Sequence, residues 1–220
     1  MAGFTGRTSS LIKYNDRSLK DLTTTPASVS SSPGALVHIK TLTASSSGTL
    51  SFVHGTDGVV LDSTYPIYKF EFINIHPATN GVAFEFNLSI DGGSNYNVTK
   101  TTTNFGAFHS EDGSSSALNY DAGRDLAQST AFQTLFTSGT LGNGNDESTS
   151  GQLKLFNPSN TTFVKHFMSN INYYANSAYS INCYVAGYGN TTSAVNAIRF
   201  QMSSGNIDSG KIKLYGIKDA

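Results

Sequence analysis

From Gly34 onward, apolar and polar residues alternate along the chain, the period of a strand with one buried face. The clearest run is "GVAFEFNLSIDGGSNYNVTK". Val82, Phe84, Phe86, Leu88 and Ile90 fall on one face, and Ala83, Glu85, Asn87 and Ser89 on the other. "DGG" then closes a tight turn, where glycine accepts positive φ at little cost, and "YNVTK" is expected to return beside the first strand. Upstream, "YPIYKFEFINIHP" sets Tyr68, Phe70 and Phe72 against Lys69 and Glu71, and stops at Pro77. "ALVHIKTLT" and "GTLSFVHG" read as an earlier pair around "ASSSG".

The alternation resumes in "GQLKLFNPS", "TFVKHFMSNINYY", "YSINCYVAGY", "VNAIRFQMS" and "GKIKLYGI". The inward sets there are Tyr179, Ile181, Cys183 and Val185, then Ile198, Phe200 and Met202, then Ile212 and Leu214. The last of these strands needs a partner, because an unpaired edge is a liability. It is expected to pair within the sheet, with Lys211, Lys213 and Lys218 guarding an edge. Many strands, polar turns and almost no helical period predict an all-β chain, an antiparallel β-sandwich of jelly-roll type.

Two stretches break the pattern. Residues 1–33 hold "LIKYNDRSLKDL" and the Ser/Thr/Pro linker "TTTPASVSSSPG". They read as an extended N-terminal arm, with Leu11, Ile12, Tyr14, Leu19 and Leu22 as apolar anchors for docking. The sandwich domain then spans residues 34–220, interrupted by a loop-rich insertion at about 102–151. Within the insertion, "RDLAQSTAFQTLF" suits one short helix. Segments around Phe105–Gly123 and Thr137–Gly151 read as contact loops, since long insertions are commonly functional.

Composition narrows the class. The chain has 220 residues, enough for one sandwich domain. Charged residues are 13%, against about 25% in an average soluble domain, and net charge is -1. That balance gives no electrostatic footprint for nucleic acid or an anionic membrane. No run approaches the roughly 18 apolar residues of a membrane span, and no signal-peptide core stands near Met1. The expectation is a protein that starts near Met1 and is released into the cytosol. Cys183 is the single cysteine, so neither an intrachain disulfide nor a Cys-based zinc site forms; it reads as a buried small residue.

Candidate chemistry is sparse. His38 and His166 lie in strand patterns, His76 precedes Pro77, and His54 and His109 lie in loops, none at a metal-binding spacing. Glu71 and Glu85 are the carboxylates that a glycosidase reading would pair, yet both read as solvated outer-face charges. "GNGNDES" and "SIDGGSNYN" offer oxygens suited to calcium without the spacing of an EF-hand loop. No cofactor and no catalytic residue is expected. Tyr96, Tyr120, Tyr173, Tyr174 and Tyr188 are candidate rings for stacking on sugars, with Tyr96, Tyr120 and Tyr188 the ones selected as receptor or glycan contacts.

"NAIRFQMSSGNIDSGKIKLYGI", "YKFEFINIHPATNGVAFEFNLSIDGGSNYN", "GRDLAQSTAFQ", "GQLKLFNPSNTTFVKHF", "VAGYGNTTSAVNAIRF" and the opening "IKYNDRSLKDLTTTPAS" together resemble virion structural and tail-fibre-like proteins of tailed phages, notably of marine cyanobacteria. The resemblance implies a non-enzymatic virion protein, of tail-fibre, adhesin or capsid-decoration type. Its implied partners are other virion proteins of capsid or tail, further copies in a homotrimer, and a host surface glycan. A stand-alone carbohydrate-binding module is the alternative. The resemblance assigns no functional residues.

Overall fold

A computed structural model describes residues 35–219. The proposed arm with Leu11, Ile12, Tyr14, Leu19 and Leu22 therefore lies outside the described residues. Twelve strands follow one another: β1 (Leu36–Thr43), β2 (Thr49–Val53), β3 (Ile67–Pro77), β4 (Phe84–Ser89), β5 (Lys100–Ser110), β6 (Ser116–Tyr120), β7 (Gln133–Thr134), β8 (Thr149–Phe156), β9 (Lys165–Ala175), β10 (Tyr179–Gly189), β11 (Ala197–Met202) and β12 (Ile207–Ile217). They form an eight-stranded sheet of order β1-β12-β3-β8-β9-β10-β5-β6 and a four-stranded sheet of order β2-β11-β4-β7. All pairings are antiparallel.

Eight of these strands wind as a jelly roll. β1, β12, β3 and β8 lie in one sheet, and β2, β11, β4 and β7 in the other, so the chain crosses between sheets at most connections. Two hairpins are added to this frame. β5–β6 leaves between β4 and β7, and β9–β10 between β8 and β11, and both extend the larger sheet beyond β8.

The alternation read from the sequence places the core correctly at most positions. Tyr68, Phe70, Phe72, Val82, Phe84, Phe86, Leu88, Ile181, Cys183, Val185, Ile198, Phe200, Met202, Ile212 and Leu214 are all buried. Tyr179 is only half-buried, and Ile90 is 42% exposed because the strand has already ended at Ser89. Phe200 sits at the centre, with its ring in aromatic contact with Phe52, Phe70, Phe72, Phe84 and Phe86.

Several finer expectations are corrected. "YNVTK" comes back along β4, where Val98 N–H donates to the Leu88 carbonyl at 3.4 Å, but it forms no paired strand there; the chain crosses to the other sheet, and Lys100 opens β5. β1 and β2 are not partners either, since β1 pairs β12 and β2 pairs β11. The final strand is paired on both sides, by β1 and β3, so Lys211 and Lys213 stand inside the sheet and guard no edge. Finally, the insertion at 102–151, loop over most of its length, is not loop throughout. It holds most of β5, all of β6 and β7, and the start of β8.

The reason β5 escapes a hydrophobic reading is chemical. Its inward positions include Thr102, Asn104 and Ser110, which are buried yet polar. The segment over them supplies their partners. Thr102 Oγ1 lies 2.6 Å from Gln133 Oε1, Asn104 Nδ2 donates to the Phe136 carbonyl at 2.9 Å, and Leu126 N–H donates to Thr102 Oγ1 at 2.8 Å. Those same bonds hold "RDLAQSTAFQTLF" extended rather than helical, because its backbone is tied to β5 and, through Leu135 N–H, to the Phe84 carbonyl. Gly106 permits this close cover: a Cβ there would lie 2.5 Å from Thr137 Cγ2 and 2.7 Å from the Asn182 carbonyl.

The crossover from β4 to β5 turns on a buried polar knot. Lys100 Nζ donates to Asn87 Oδ1 at 2.5 Å and to the Val98 carbonyl at 2.8 Å. Asn87 Nδ2 donates onward to the carbonyls of Tyr96 and Thr130. No carboxylate bonds to this amine, and burial pulls it down from 10.5 to about 7. The unfolded chain therefore binds more protons than the native one between those values, so stability rises with pH across that interval. Above about 9 the gain stops, because the unfolded Cys183 thiol ionises while burial holds the native one up at about 12, and above about 10.5 the Cys183 effect stands alone and stability falls. We expect the melting temperature to rise between about pH 6.5 and 8.5, and Lys100→Met to flatten that slope in a pH series of thermal melts. Phe200→Ala should lower unfolding free energy by about 3–5 kcal/mol in a denaturant titration.

Candidate recognition surface

In a strand, successive side chains point to opposite faces, so every inward residue defines an outward neighbour. On the four strands that extend the jelly roll, the outward positions form rows across the sheet. Tyr120, Phe105, Tyr184, Asn170 and Gln152 make one row from β6 to β8. Leu118, Ala107, Asn182, Asn172 and Ser150 make the next. Thr103, Ala186, Met168 and Lys154 flank the first row on its other side. Among the outward positions of β9, β10, β5 and β6 there is no Asp, Glu, Lys or Arg. The outward charges Lys69, Glu71, Lys154 and Lys213 begin only at β8 and beyond.

The neutral face is apolar at one end and amide-rich in the middle. Leu118 is 72% exposed, Met168 58% and Tyr120 55%, with Tyr184 and Phe105 also open to solvent. The Phe105 and Tyr184 rings stack, centroids 5.3 Å apart and planes 11° from parallel. Tyr120 Oη donates to Asp125 at 2.5 Å, and that bond holds the phenol above its usual range. Beside the rings, Asn170 Nδ2 donates to Asn182 Oδ1 at 2.8 Å, so the amides are ordered by one another. A separate groove of about 470 Å³ lies toward the other end, lined by Thr101, Thr103, Phe156, His166, Met168 and Tyr188.

The residues selected from sequence divide accordingly. Tyr120 and Tyr188 both lie on this face, Tyr120 in the aromatic row and Tyr188 in the groove. Tyr96 does not. It is 9% exposed, packed on the other side of the molecule under the Arg199 guanidinium at 4.0 Å. Arg199 lies on β11, whose buried Phe200 faces the core, so Tyr96 covers the outer side of the smaller sheet. Tyr173 is also buried, stacked on Phe136 and bonded to the Ser138 carbonyl. Phe105, Tyr184, Leu118 and Met168 are not selected by the sequence pattern. Tyr184 is legible there, since Cys183 reads as inward; Phe105 and Leu118 fall in loop-like composition.

The other candidates are engaged locally. Glu71 pairs with Lys69 at 2.7 Å on the larger sheet, and Glu85 bonds Gln201 at 2.8 Å on the smaller one. Glu147 folds back on its own loop, accepting from Gly144 N–H at 2.6 Å. Asp91 accepts from Asn95 and Ser89 within its turn, which lowers its carboxyl to about 2. Among the described residues, no group of three His, Cys, Asp or Glu side chains is placed to hold a metal ion. No family model, curated protein or solved structure matches the chain.

Cys183 lies beneath this face, fully buried, and burial raises its thiol to about 12. A thiol so placed is a poor nucleophile. Native protein at pH 8 should leave a disulfide reagent such as DTNB unreacted over the time in which denatured protein releases one equivalent of thiolate per chain.

Proposed function

We propose that this protein is a non-enzymatic structural component of a phage virion, exposed on the particle surface as a tail-fibre or adhesin-type protein or as a capsid decoration. The observation that carries the reading is a jelly roll whose larger sheet is extended by a neutral, ring-bearing outer face. Jelly rolls serve capsid and lectin domains among other roles, so the fold is compatible and the exposed face supplies the argument for contact. Exposed apolar patches on soluble proteins mark interaction sites more often than not. In this reading residues 1–33 dock the chain to a capsid or tail protein, with Leu11, Ile12, Tyr14, Leu19 and Leu22 as anchors. The sandwich faces outward, and the protein folds in host cytoplasm before joining the particle as a homotrimer.

A stand-alone carbohydrate-binding module is the second reading. The groove beside Tyr188 favours it, because a ring, an imidazole and two threonine hydroxyls line a hollow of sugar size. Within the virion reading the same groove is the place for a host surface glycan.

Deleting residues 1–33 tests the first reading. The truncated protein should keep its strand-rich circular dichroism and thermal transition, yet be missing from particles purified after complementation. Truncated protein that joins particles at normal stoichiometry refutes the docking arm, and absence of the full chain from purified particles refutes the virion role itself.

A further inference from the structure

Among the edge strands of the described residues, β6 is the one exposed at every position. All five of its residues, Ser116–Tyr120, are exposed, on both faces. Its register with β5 is unbroken from Phe105↔Tyr120 to His109↔Ser116, so no bulge twists it away. It contains no charge and no proline. Among the described residues, its outer edge pairs with nothing. Such devices protect edge strands, because free N–H and C=O groups template pairing with another chain. β2 lacks them too, but it alternates buried and exposed residues; β6 joins a bare edge to full exposure and to a row of exposed rings, a surface suited to being covered.

We propose that β6 and the rings beside it form the contact through which copies of this chain associate. Strand addition at β6 satisfies the free backbone groups and sets Leu118 and Tyr120 against the added copy, at the end of the row that runs on through Phe105 and Tyr184. Two features favour a second copy over other occupants. The outward positions of β9, β10, β5 and β6 carry no formal charge, and the Asp125 carboxylate at their border accepts from Tyr120, so like faces meet with little repulsion, a condition for self-association. The composition, rich in Tyr, Phe, Leu and Met and depleted of charge, is that of the core of a protein interface. A sugar is served less well here: Phe105 and Tyr184 each cover one ring face of the other, and Leu118 offers no ring. The groove at Tyr188 lies two outward positions farther along β10 than Tyr184. The inference goes beyond the virion reading, since association of the purified chain requires no particle.

Light scattering on the purified full-length protein tests it, with Leu118→Lys and Phe105→Ser as two separate variants. Both side chains are solvent-exposed, and circular dichroism checks that each variant keeps its fold. The wild type should have the mass of two or three chains, and each folded variant should fall to one half or one third of that value. A wild type with the mass of one chain overturns the proposal. So do folded variants that keep the wild-type mass. If such variants instead lose binding on a glycan array, the face belongs to sugar and the proposal is again overturned. Particle incorporation is read separately, so failure of self-association and failure of the virion role are distinguishable.

Discussion

The sandwich depends on one ring. Phe200, on the second strand of the smaller sheet, touches Phe52 and Phe86 on its own sheet's neighbours and Phe70 and Phe72 across the gap. Its centroid lies 5.2 Å from that of Phe72 and 5.8 Å from that of Phe84. Edge-to-face and offset contacts of this kind add to the burial of the rings themselves. They also set register. Slipping β11 by one residue would turn Arg199 and Gln201 into the core and Phe200 into water. With β11 fixed, its partners β2 and β4 are fixed, and the facing strand β3 must present Phe70 and Phe72. The jelly-roll order follows from where those rings are spaced along the chain.

The extension obeys a different rule. β9 still reaches the ring cluster, with the Phe167 ring centroid 5.0 Å from that of Phe86, but farther out the inner side of the added strands is closed by the segment that carries Leu135, Phe136 and Leu141. This end of the core is part polar. Gln133 Nε2 donates to the carbonyls of Arg124 and Thr134 while its oxygen meets Thr102, and Asn104 meets Phe136. Among the described residues, Thr137 Oγ1 is the one buried side-chain oxygen or nitrogen without a partner. Satisfied groups of this kind cost little and position the backbone closely. The outward rings are consequently held on a rigid sheet rather than on a mobile loop.

This division explains what the sequence disclosed. Strands facing the ring cluster alternate Phe, Tyr, Leu and Ile with polar residues, so their number, faces and antiparallel class were legible. β5 buries Thr, Asn, Gly and Ser, and its alternation has no hydrophobic signal. β6 is exposed on both faces and has no period to find. The pairings β1–β12 and β2–β11 join the two ends of the chain, and no local turn signal encodes them. Of the candidate face, Tyr120 and Tyr188 were chosen as rings. Their shared side became visible only once β5 was known to be a strand with Cys183 opposite Gly106.

The distribution of charge then acquires a physical sense. A sheet exposed to water ordinarily keeps charges on its outer side, and the half built from β1, β12, β3 and β8 does so with Lys69, Glu71, Lys154, Lys211 and Lys213. The added half does not. Desolvating a charge is expensive, whereas desolvating an amide that already bonds its neighbour, as Asn170 does Asn182, costs far less. A face assembled from such amides and from rings is therefore one that can leave water cheaply, and the strand that borders it has free backbone groups that gain partners when it does. The added hairpins thus have two sides with two tasks: inward, Phe167, Ile171, Tyr173, Ile181, Cys183 and Val185 join the core of the jelly roll, and outward they carry the contact area.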